Sequence, residues 1–580
     1  MKKILYSIVA TVMLLGCESF LDEKPLTQKT SENFPTTPDD AKQLMAGIYT
    51  TMNNAQRNAD VSYLFVSEVA SDDKLGGGGL NDVKAQAYEN FMYSDPNMLD
   101  HAWATTYTGI FRANYAIENL ALLDTLVISK KLNDQYKGEA LFLRAWFYYQ
   151  LTSLFGDVPL SISTEPENLP AASTEELYGQ MASDLKTAIE IMPKVPYSEV
   201  EEGRVTRWAA QALMARIYLF YTGFYQKDAL PLADGGSVSK QNVIDWLDDC
   251  IENSGHHLVG DFHELWPYTN SVSIGDYQYI QDYMTETGKE LTYASDKGAR
   301  NPEAMFVLQF SNFTNWDVGR GMGNMYELFF ALRGLQSLAN TYPFAGGWGQ
   351  GNSVPESLVN QWLADEPNDP RLWASVMDIE KEVIPLGYKR GEWDFVMESN
   401  YWGKKMNGIA GKRADGSYVN DYGVVMYETP DNQQLSHTTD LMYIRFADVL
   451  LMMSELTEDA SYMNEVRARA DLPPVAYSLE NLQKERRYEL AFEGLRWNDM
   501  RRWGADYAKE GLESQVNVPI YNFGNLVTHQ PLSSDGYSKR YDDTKGFFPI
   551  PQSQIDISEG QLEQVEGYRD GNGLYTGWPF

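Results

Sequence analysis

Cysteine is nearly absent from this sequence, which has only Cys17 and Cys250 among its 580 residues. Cys250 lies in an amphipathic helical pattern, and we interpret it as a small core residue. If Cys17 is modified, as argued below, no disulfide can form within the chain. Stability must then come from packing, even in an oxidising compartment.

Histidine is also scarce, with six residues, and the usual catalytic motifs are missing. The sequence contains no HExxH, GxSxG, Walker or dinucleotide-binding motif, and Gly76–Gly79 lacks the Lys-Ser/Thr ending of a phosphate-binding loop. The 81 acids supply by chance many carboxylate pairs of the kind that hydrolyse glycosidic bonds, but no motif marks one out. We therefore predict that the protein is not an enzyme and needs no cofactor. A structural calcium ion held by loop acids stays an alternative, without an EF-hand spacing to support it.

Basic residues are outnumbered, since 47 Lys and Arg stand against 81 Asp and Glu, for a formal net charge of −34. Such a chain repels a phosphate backbone, so we predict that it does not bind nucleic acid. Neutral or cationic ligands fit this charge better. Beyond the first residues, no apolar run is long enough to suggest a membrane-spanning helix.

The first residues have the pattern of a lipoprotein signal peptide. Two lysines precede a 12-residue apolar stretch, Ile4–Leu15, which is too short to span a bilayer comfortably. The next residues, Gly16 and Cys17, complete a sequence that resembles a bacterial lipobox. We predict a signal peptide at 1–16 and a lipidated tether at 17–36, in which the acyl chains on the cysteine hold the protein on a membrane. A plain secretory signal with an incidental cysteine is the alternative.

Apolar residues recur at three- and four-residue spacing over most of residues 37–264, which predicts a helical region. Within it, a similar Ala-Leu-x-x-Arg pattern begins at Ala140 and at Ala212, an offset of 72 residues, close to twice the ~34 residues of a tetratricopeptide unit. Residues 265–439 are rich in Gly, Asn, Asp and aromatics and predict a loop-rich, ligand-binding region. Helical patterns return at 440–580 and end in a proline-broken tail. We predict a mainly α fold, in which tetratricopeptide-like helix pairs form an α-α superhelical scaffold for a loop-rich lobe with short strands; an irregular helical bundle is the alternative.

A stripe of acidic and basic residues lies near the C-terminal end of the helical pattern. Its members recur at three- and four-residue spacing, as on one face of a helix, and they are Glu485, Glu489, Glu493, Arg496, Arg501 and Arg502. We interpret the stripe as a structural ion-pair network that braces the C-terminal helices.

Seven segments between Cys17 and Ile557 are specific in their combined order. They are CESFLDEKP, the pair FRANYAIENL and GEALFLRAWFYYQLTSLFGDVPL (counted as one), GRVTRWAAQALMARIYLFYTG, NPEAMFVLQF, YIRFADVLLMMSEL, ERRYELAFEGLRWNDMRRWG and FFPIPQSQI. In this order they resemble the SusD/RagB family of outer-membrane lipoproteins. The resemblance implies a mostly helical, surface-exposed protein that caps a SusC-type TonB-dependent barrel and delivers nutrients to it, usually oligosaccharides. Glu18, Asp22 and Glu23 resemble the surface-export signal of such lipoproteins.

A glycan site needs flat aromatic rings that stack on the C–H faces of sugars, and polar side chains that bind the hydroxyls. Trp316 follows the predicted strand MFVLQFS among polar neighbours, so we expect it to be a stacking platform. The resembled family commonly places an aromatic platform there and in the loop after the first helices. The predicted ligand-binding residues are Trp316 with Asn315, Asp317 and Arg320; Asp72, Asp73 and Asn81 in the earlier glycine-rich loop; and Tyr293, Tyr342, Trp348 and Trp402.

Together these patterns predict a lipid-anchored, surface-exposed outer-membrane protein. We expect it to bind oligosaccharide or polysaccharide and to deliver it to a SusC-like transporter, acting as the transporter's lid. A peptide-binding, RagB-like lid of the same kind of transporter is the first alternative. A lipid-anchored hydrolase and a tetratricopeptide scaffold that binds only protein are the others.

Overall fold

The computed structural model describes residues 34–123, 127–310, 323–333 and 337–577.

Polar caps begin several helices of the N-terminal half. Ser129, Ser173 and Thr206 each accept a hydrogen bond from a backbone amide in the first turn of the following helix, and so satisfy an amide that has no partner within the helix. The helices of this half are α1 Pro38–Ala55, α2 Tyr63–Val69, α3 Val83–Glu89, α4 Asp100–Leu120, α5 Lys130–Phe155, α6 Thr174–Ile191, α7 Arg207–Phe224 and α8 Lys240–Asn253.

Consecutive helices pack against one another from α4 to α8. Helix α5 lies between α4 and α6 and buries almost every residue of its second half. In α7, Ala209, Ala212 and Ala215 are fully buried, and their small side chains let neighbouring helices approach closely. This arrangement confirms the predicted mainly α fold with tetratricopeptide-like helix pairs. Of the helices in the described residues, none is both long and apolar enough to cross a membrane.

Short elements and long loops make up the middle of the chain. Its helices are α9 Gln278–Thr287, α10 Met325–Phe330, α11 Glu356–Asp365, α12 Pro370–Ser375, α13 Ile379–Glu382 and α14 Tyr422–Met426. A hairpin of β1 Leu230–Pro231 and β2 Ser237–Val238 precedes it, and its own strands are β3 Ala304–Leu308, β4 Leu332–Arg333, β5 Gly346–Gly347, β6 Ser353–Val354, β7 Val376–Asp378, β8 Tyr401–Gly403, β9 Gly411–Lys412 and β10 Tyr418–Val419. The sheets have two or three strands each. A separate apolar cluster, which includes Phe262, Tyr268, Phe344 and Trp402, fills this lobe.

The C-terminal helices pack back onto the N-terminal ones. They are α15 Phe446–Thr457, α16 Ala460–Arg469, α17 Leu479–Leu490, α18 Arg496–Arg502, α19 Ala505–Glu513, α20 Gly536–Thr544 and α21 Gln552–Ile557, with strands β11 Leu441–Arg445, β12 Pro519–Asn522 and β13 Asn525–Thr528. Helix α18 contacts α7, α15 contacts α8, and β11 pairs antiparallel with β3. One apolar core therefore joins residues of both ends of the chain. The predicted boundaries at residues 264/265 and 439/440 stay a prediction.

Buried ion pairs connect the C-terminal helices to the other parts of the molecule. The predicted network is confirmed for five residues of the stripe, Glu485, Glu489, Glu493, Arg496 and Arg502, which all make buried ion pairs. The prediction was wrong for Arg501. No carboxylate of the described residues lies within ion-pair distance of its guanidinium, which donates to the carbonyl oxygen of Ser153 and packs on the Trp497 ring. Burial lowers its pKa.

Candidate functional site

The predicted stacking platform cannot be placed from the structure. Trp316 and its neighbours Asn315, Asp317 and Arg320 lie outside the described residues. Their role stays a prediction, and the candidate site is built below from other residues.

Asp72 and Asp73 do not form a ligand surface, which corrects the prediction for both. Both side chains are buried. Arg496 Nε and Nη2 donate to Asp72 over 2.6 and 2.7 Å, and Arg487 Nε donates to Asp73 over 2.8 Å. Burial alone would raise the pKa of Asp72, but Arg487 and Arg496 lower it to about 2. The two acids therefore bind the glycine-rich loop to the C-terminal helices.

Two of the predicted aromatic contacts are also interior residues. The Trp402 side chain is 0% exposed, its Nε1 donates to the carbonyl oxygen of Phe330 over 2.9 Å, and its ring meets the Phe395 ring edge-on. Tyr293 is buried beside a cavity of only about 50 Å³, and burial raises its pKa. Neither ring has a free face for a sugar, so the prediction of stacking at Trp402 and Tyr293 is corrected.

Arg333 brings several partly exposed polar groups together at one place on the surface. It ends β4, and its guanidinium donates to Asp82 Oδ2 over 3.0 Å and to Asp394 Oδ1 over 2.8 Å. It also donates to the carbonyl oxygens of Trp348 and Trp393, over 2.6 and 3.2 Å. We define the Arg333 cluster as Asn81, Asp82, Arg333, Trp393 and Asp394.

Glycine lets the loop before Asp82 approach this arginine. A Cβ atom on Gly79 would collide with Arg333 Nη2 and Asp394 Oδ1, and Gly78 has φ of +126°. The backbone conformation of Gly78 therefore requires glycine, and at position 79 any larger residue would displace the ends of the Arg333 and Asp394 side chains. The loop is fixed further because Gly79 N donates to Asp82 Oδ2 over 2.6 Å and Leu80 N donates to Asp394 Oδ2 over 3.2 Å.

Trp393 is an exposed aromatic residue of the cluster. Its side chain is 58% exposed, and its φ is +59°. A bulky residue in the left-handed region is uncommon and persists only when surrounding contacts hold it. Here the hydrogen bond from Arg333 to its carbonyl oxygen helps to hold it. Leu80 and Phe523 are also exposed on neighbouring loops, so the indole lies on a partly apolar surface.

The carboxylates of the cluster keep free acceptor capacity. Asp82 and Asp394 side chains are 20% and 39% exposed. Burial raises the pKa of Asp82, against the opposite effects of the Gly79 amide and Arg333. Gln350 Nε2 donates to Asp82 Oδ1 over 2.9 Å. Chemically, the cluster offers a flat ring beside hydrogen-bond acceptors and the exposed amide of Asn81, which suits a neutral polyhydroxy ligand.

The sequence prediction included only part of this cluster. Asn81 is exposed in it, as a glycan contact must be. Trp348 is half-buried, with its ring edge-on to Phe329 and its carbonyl bound to Arg333. Trp393 was missed, although in GEWDF it has polar neighbours and a nearby glycine, as Trp316 does.

Tyr342 lies in a different place, in a cavity of about 630 Å³ that we name the Tyr342 pocket. This volume is within the range of small-molecule sites. Its lining includes Tyr277, Phe344, Trp373 and Glu382. Tyr277 and Phe344 are buried, and the Tyr277 hydroxyl is bound to Glu382. The rings of Tyr342 and Trp373 are half-buried there, so the predicted role of Tyr342 stays a prediction.

Comparisons with known proteins agree on one family. A family model described as the SusD family matches residues 279–568, and one described as "Starch-binding associating with outer membrane" matches residues 19–219. SusD-like protein P2 of Formosa agariphila is 26% identical over 550 residues, which cover 88% of this chain and 93% of that protein.

Solved structures share the fold. Surface glycan-binding protein A from Bacteroides fluxus aligns with a TM-score of 0.68 at 23% identity, over 92% of this chain and 100% of that one. Surface glycan-binding protein A from Bacteroides thetaiotaomicron in complex with laminarihexaose aligns with a TM-score of 0.67 at 18% identity, with the same coverage. Because the first family model alone covers half of the sequence, the chain belongs to the SusD family.

Proposed function

We propose that this protein is a surface lipoprotein that binds an oligosaccharide through the Arg333 cluster and delivers it uncut to a SusC-like TonB-dependent transporter. The main observation in favour of this binding site is the exposed ring of Trp393. Arg333 binds the Trp393 carbonyl oxygen and two partly exposed carboxylates beside the ring. The relatives support the ligand class, since one solved structure of this fold is a complex with laminarihexaose.

The cluster can bind a sugar in two ways at once. The indole face of Trp393 stacks on the C–H face of one sugar ring. Such stacking contacts are apolar and depend little on which sugar is bound. The remaining lone pairs of the Asp82 and Asp394 carboxylates can accept hydrogen bonds from hydroxyl groups, and the Asn81 amide can donate and accept. Arg333 positions both carboxylates and does not itself need to contact the sugar.

The delivery part of the proposal rests on the sequence and the family. Residues 1–16 have the pattern of a signal peptide, and Cys17 follows them as the residue to be acylated. A family description that includes association with the outer membrane supports this location. A lipid-anchored binding protein stays near a membrane transporter, where its ligand can be passed on without diffusing away.

Calorimetry and affinity electrophoresis against neutral glucans, including laminarin, test the binding site. We expect Trp393→Ala to weaken binding about tenfold or more, which corresponds to about 1.4 kcal/mol. Trp373→Ala is the matched control, because it removes a tryptophan from the Tyr342 pocket, and it should leave the affinity unchanged. The opposite pattern would move the site to the Tyr342 pocket, and binding of a peptide library without any glycan would favour the peptide-binding lid. Product release from any bound glycan would overturn the proposal that the protein is not an enzyme.

Membrane fractionation tests the anchor and the partner. The wild-type protein should carry acyl chains on Cys17 by mass spectrometry, should be accessible to protease on intact cells, and should co-purify with a barrel from detergent-solubilised outer membranes. Cys17→Ser should be released in soluble form. A wild-type protein found free in the periplasm with an unmodified thiol would contradict the proposal.

A further inference from the structure

Three buried metal-ligating side chains meet inside the loop-rich lobe. Glu327 belongs to α10, Asp421 caps the N-terminus of α14, and His437 lies in the segment before β11. One ligand atom of each lies within 4.8 Å of the others. His437 Nδ1 is 3.2 Å from Glu327 Oε2 and 3.9 Å from Asp421 Oδ2, and all three side chains are at most 2% exposed.

The hydrogen bonds around His437 direct a lone pair toward the carboxylates. His437 Nε2 lies 2.9 Å from the carbonyl oxygen of Gln433. A carbonyl oxygen only accepts, so Nε2 carries the ring proton and Nδ1 of the neutral imidazole is an acceptor. His437 Nδ1 and Glu327 Oε2 face each other over 3.2 Å, and no other group of the described residues makes a hydrogen bond with either atom. Two acceptor atoms only 3.2 Å apart repel each other, so a cation, either a proton or a metal ion, belongs between them.

Asp421 is oriented in the same way. Its Oδ1 accepts hydrogen bonds from Gly423 N over 2.8 Å and from Thr438 Oγ1 over 2.9 Å. Its Oδ2 is left with one long contact, 3.4 Å from Thr438 N, and is the oxygen nearer to His437. Outer hydrogen bonds that fix a histidine tautomer and a carboxylate oxygen are typical of metal centres.

We propose that Glu327 Oε2, Asp421 Oδ2 and His437 Nδ1 bind one divalent transition-metal ion of the zinc type. Zinc takes nitrogen and carboxylate ligands at about 2.0–2.2 Å, which places neighbouring ligand atoms about 3.3–3.5 Å apart in a tetrahedron. The 3.2 Å separation already fits, and the 3.9 Å separation closes with a shift of about half an ångström.

Charge balance favours a divalent metal ion over a single proton as the cation bound at this site. One proton on Nδ1 would leave two carboxylates and one imidazolium, a net charge of −1 in a buried place, and only a second proton on a carboxylate would cancel it. A divalent ion with a neutral imidazole makes the three ligands and the metal neutral together, which lowers the cost of burial. Calcium is less suitable, since it prefers six to eight oxygen ligands. The ion would join three segments of the loop-rich lobe and so stabilise it.

Metal analysis of the full-length protein tests the site independently of glycan binding. After removal of metals with a chelator and dialysis against micromolar Zn²⁺, we expect about one equivalent of zinc per chain and a higher Tm. His437→Gln and Asp421→Asn should each lose the zinc and the Tm increase, whereas His257→Gln, which changes an exposed histidine, should keep both. Retention of zinc by His437→Gln, or no zinc on the wild type, would overturn the proposal.

Cobalt substitution gives a second reading that does not depend on how well a variant folds. Co²⁺ on the wild-type protein should show the intense visible absorption of a four-coordinate nitrogen- and oxygen-ligated ion, and Zn²⁺ should displace it. Binding of Ca²⁺ alone, without Co²⁺ or Zn²⁺, would refute a site built on the imidazole nitrogen.

Discussion

Removal of Arg371 should destabilise the protein strongly, because it would leave carboxylates buried without their cation. The guanidinium is 0% exposed and contacts Asp369 over 2.9 Å, Glu485 over 2.5 Å and Glu489 over 3.0 Å. These partners lie in α17 and before α12, so the arginine joins the loop-rich lobe to the C-terminal helices.

The magnitude follows from what each carboxylate keeps in Arg371→Met. Glu485 keeps Arg467, and Glu489 keeps Arg445 and Arg469. Asp369 loses its charged partner and keeps the indole N–H of Trp362, 3.0 Å away. Breaking a buried pair from one side costs about 3–5 kcal/mol, and we expect a loss of unfolding free energy in that range.

Urea unfolding, followed by tryptophan fluorescence and circular dichroism, measures this loss where the two probes coincide. Arg371→Met with Asp369→Asn should recover part of it, because the double variant no longer buries the uncompensated charge. Arg569→Met is the control, since its ion pair with Glu563 is exposed and such pairs contribute little. A stability of Arg371→Met within about 1 kcal/mol of the wild type would refute the reasoning.

Three further changes test other parts of the structure. Gly79→Ala should displace Arg333 and Asp394 and weaken glycan binding, at a stability cost of about 1–3 kcal/mol. Gly275→Ala is the control, because it has open space for a Cβ, and it should change neither glycan affinity nor stability. If calorimetry gave the two variants the same glycan affinity, that result would count against the Arg333 cluster. Burial raises the pKa of Glu398 to about 7 from 4.5, so the folded state keeps this proton at pH values where the unfolded state has lost it. The unfolding free energy should therefore fall by about 3 kcal/mol as the pH rises from about 4.5 to about 7. Unfolding curves of wild type and Glu398→Gln across that range should therefore diverge, and parallel curves would contradict a protonated Glu398. Trp402→Ala should lower stability by about 3–5 kcal/mol because it empties a core position; if instead it left the melting temperature unchanged and abolished glycan binding, the original prediction of a stacking role would be restored.

The helical scaffold could be predicted because its signals are local. Residues three and four apart on α5 and α7 share one face, so apolar spacing alone indicates what is buried. The charged stripe that includes Glu485 and Glu489 was predictable for the same reason. Its partner Arg371 was not, since it lies 114 residues from Glu485 and 118 residues from Glu489 in sequence.

The candidate site could be predicted only in part, because loop acids have no local signal for burial. Asp72 and Asn81 are nearly adjacent in one glycine-rich loop, yet Asp72 is buried against Arg496 and Asn81 is exposed. What separates them is contact with a helix 424 residues further along the chain. The surroundings of Trp393 could not be predicted for the same reason, since its neighbours Leu80 and Arg333 come from segments that are distant in sequence.

The distribution of charge narrows the ligand class that this surface can bind. Arginines such as Arg371, Arg445 and Arg496 are buried together with the acids that neutralise them. Such interior pairs cancel, so they do not offset the acidic excess of the rest of the chain, whose formal charge is −34. An acidic surface repels sulfated or uronic-acid glycans at low ionic strength, but it has no such effect on a neutral chain. At the Arg333 cluster the one cation is already bound to two carboxylates, so no free positive group remains among its five residues to attract an anion. The charge of the whole surface and the charge of the Arg333 cluster therefore both favour a neutral glycan, bound by stacking and by contacts with its hydroxyl groups.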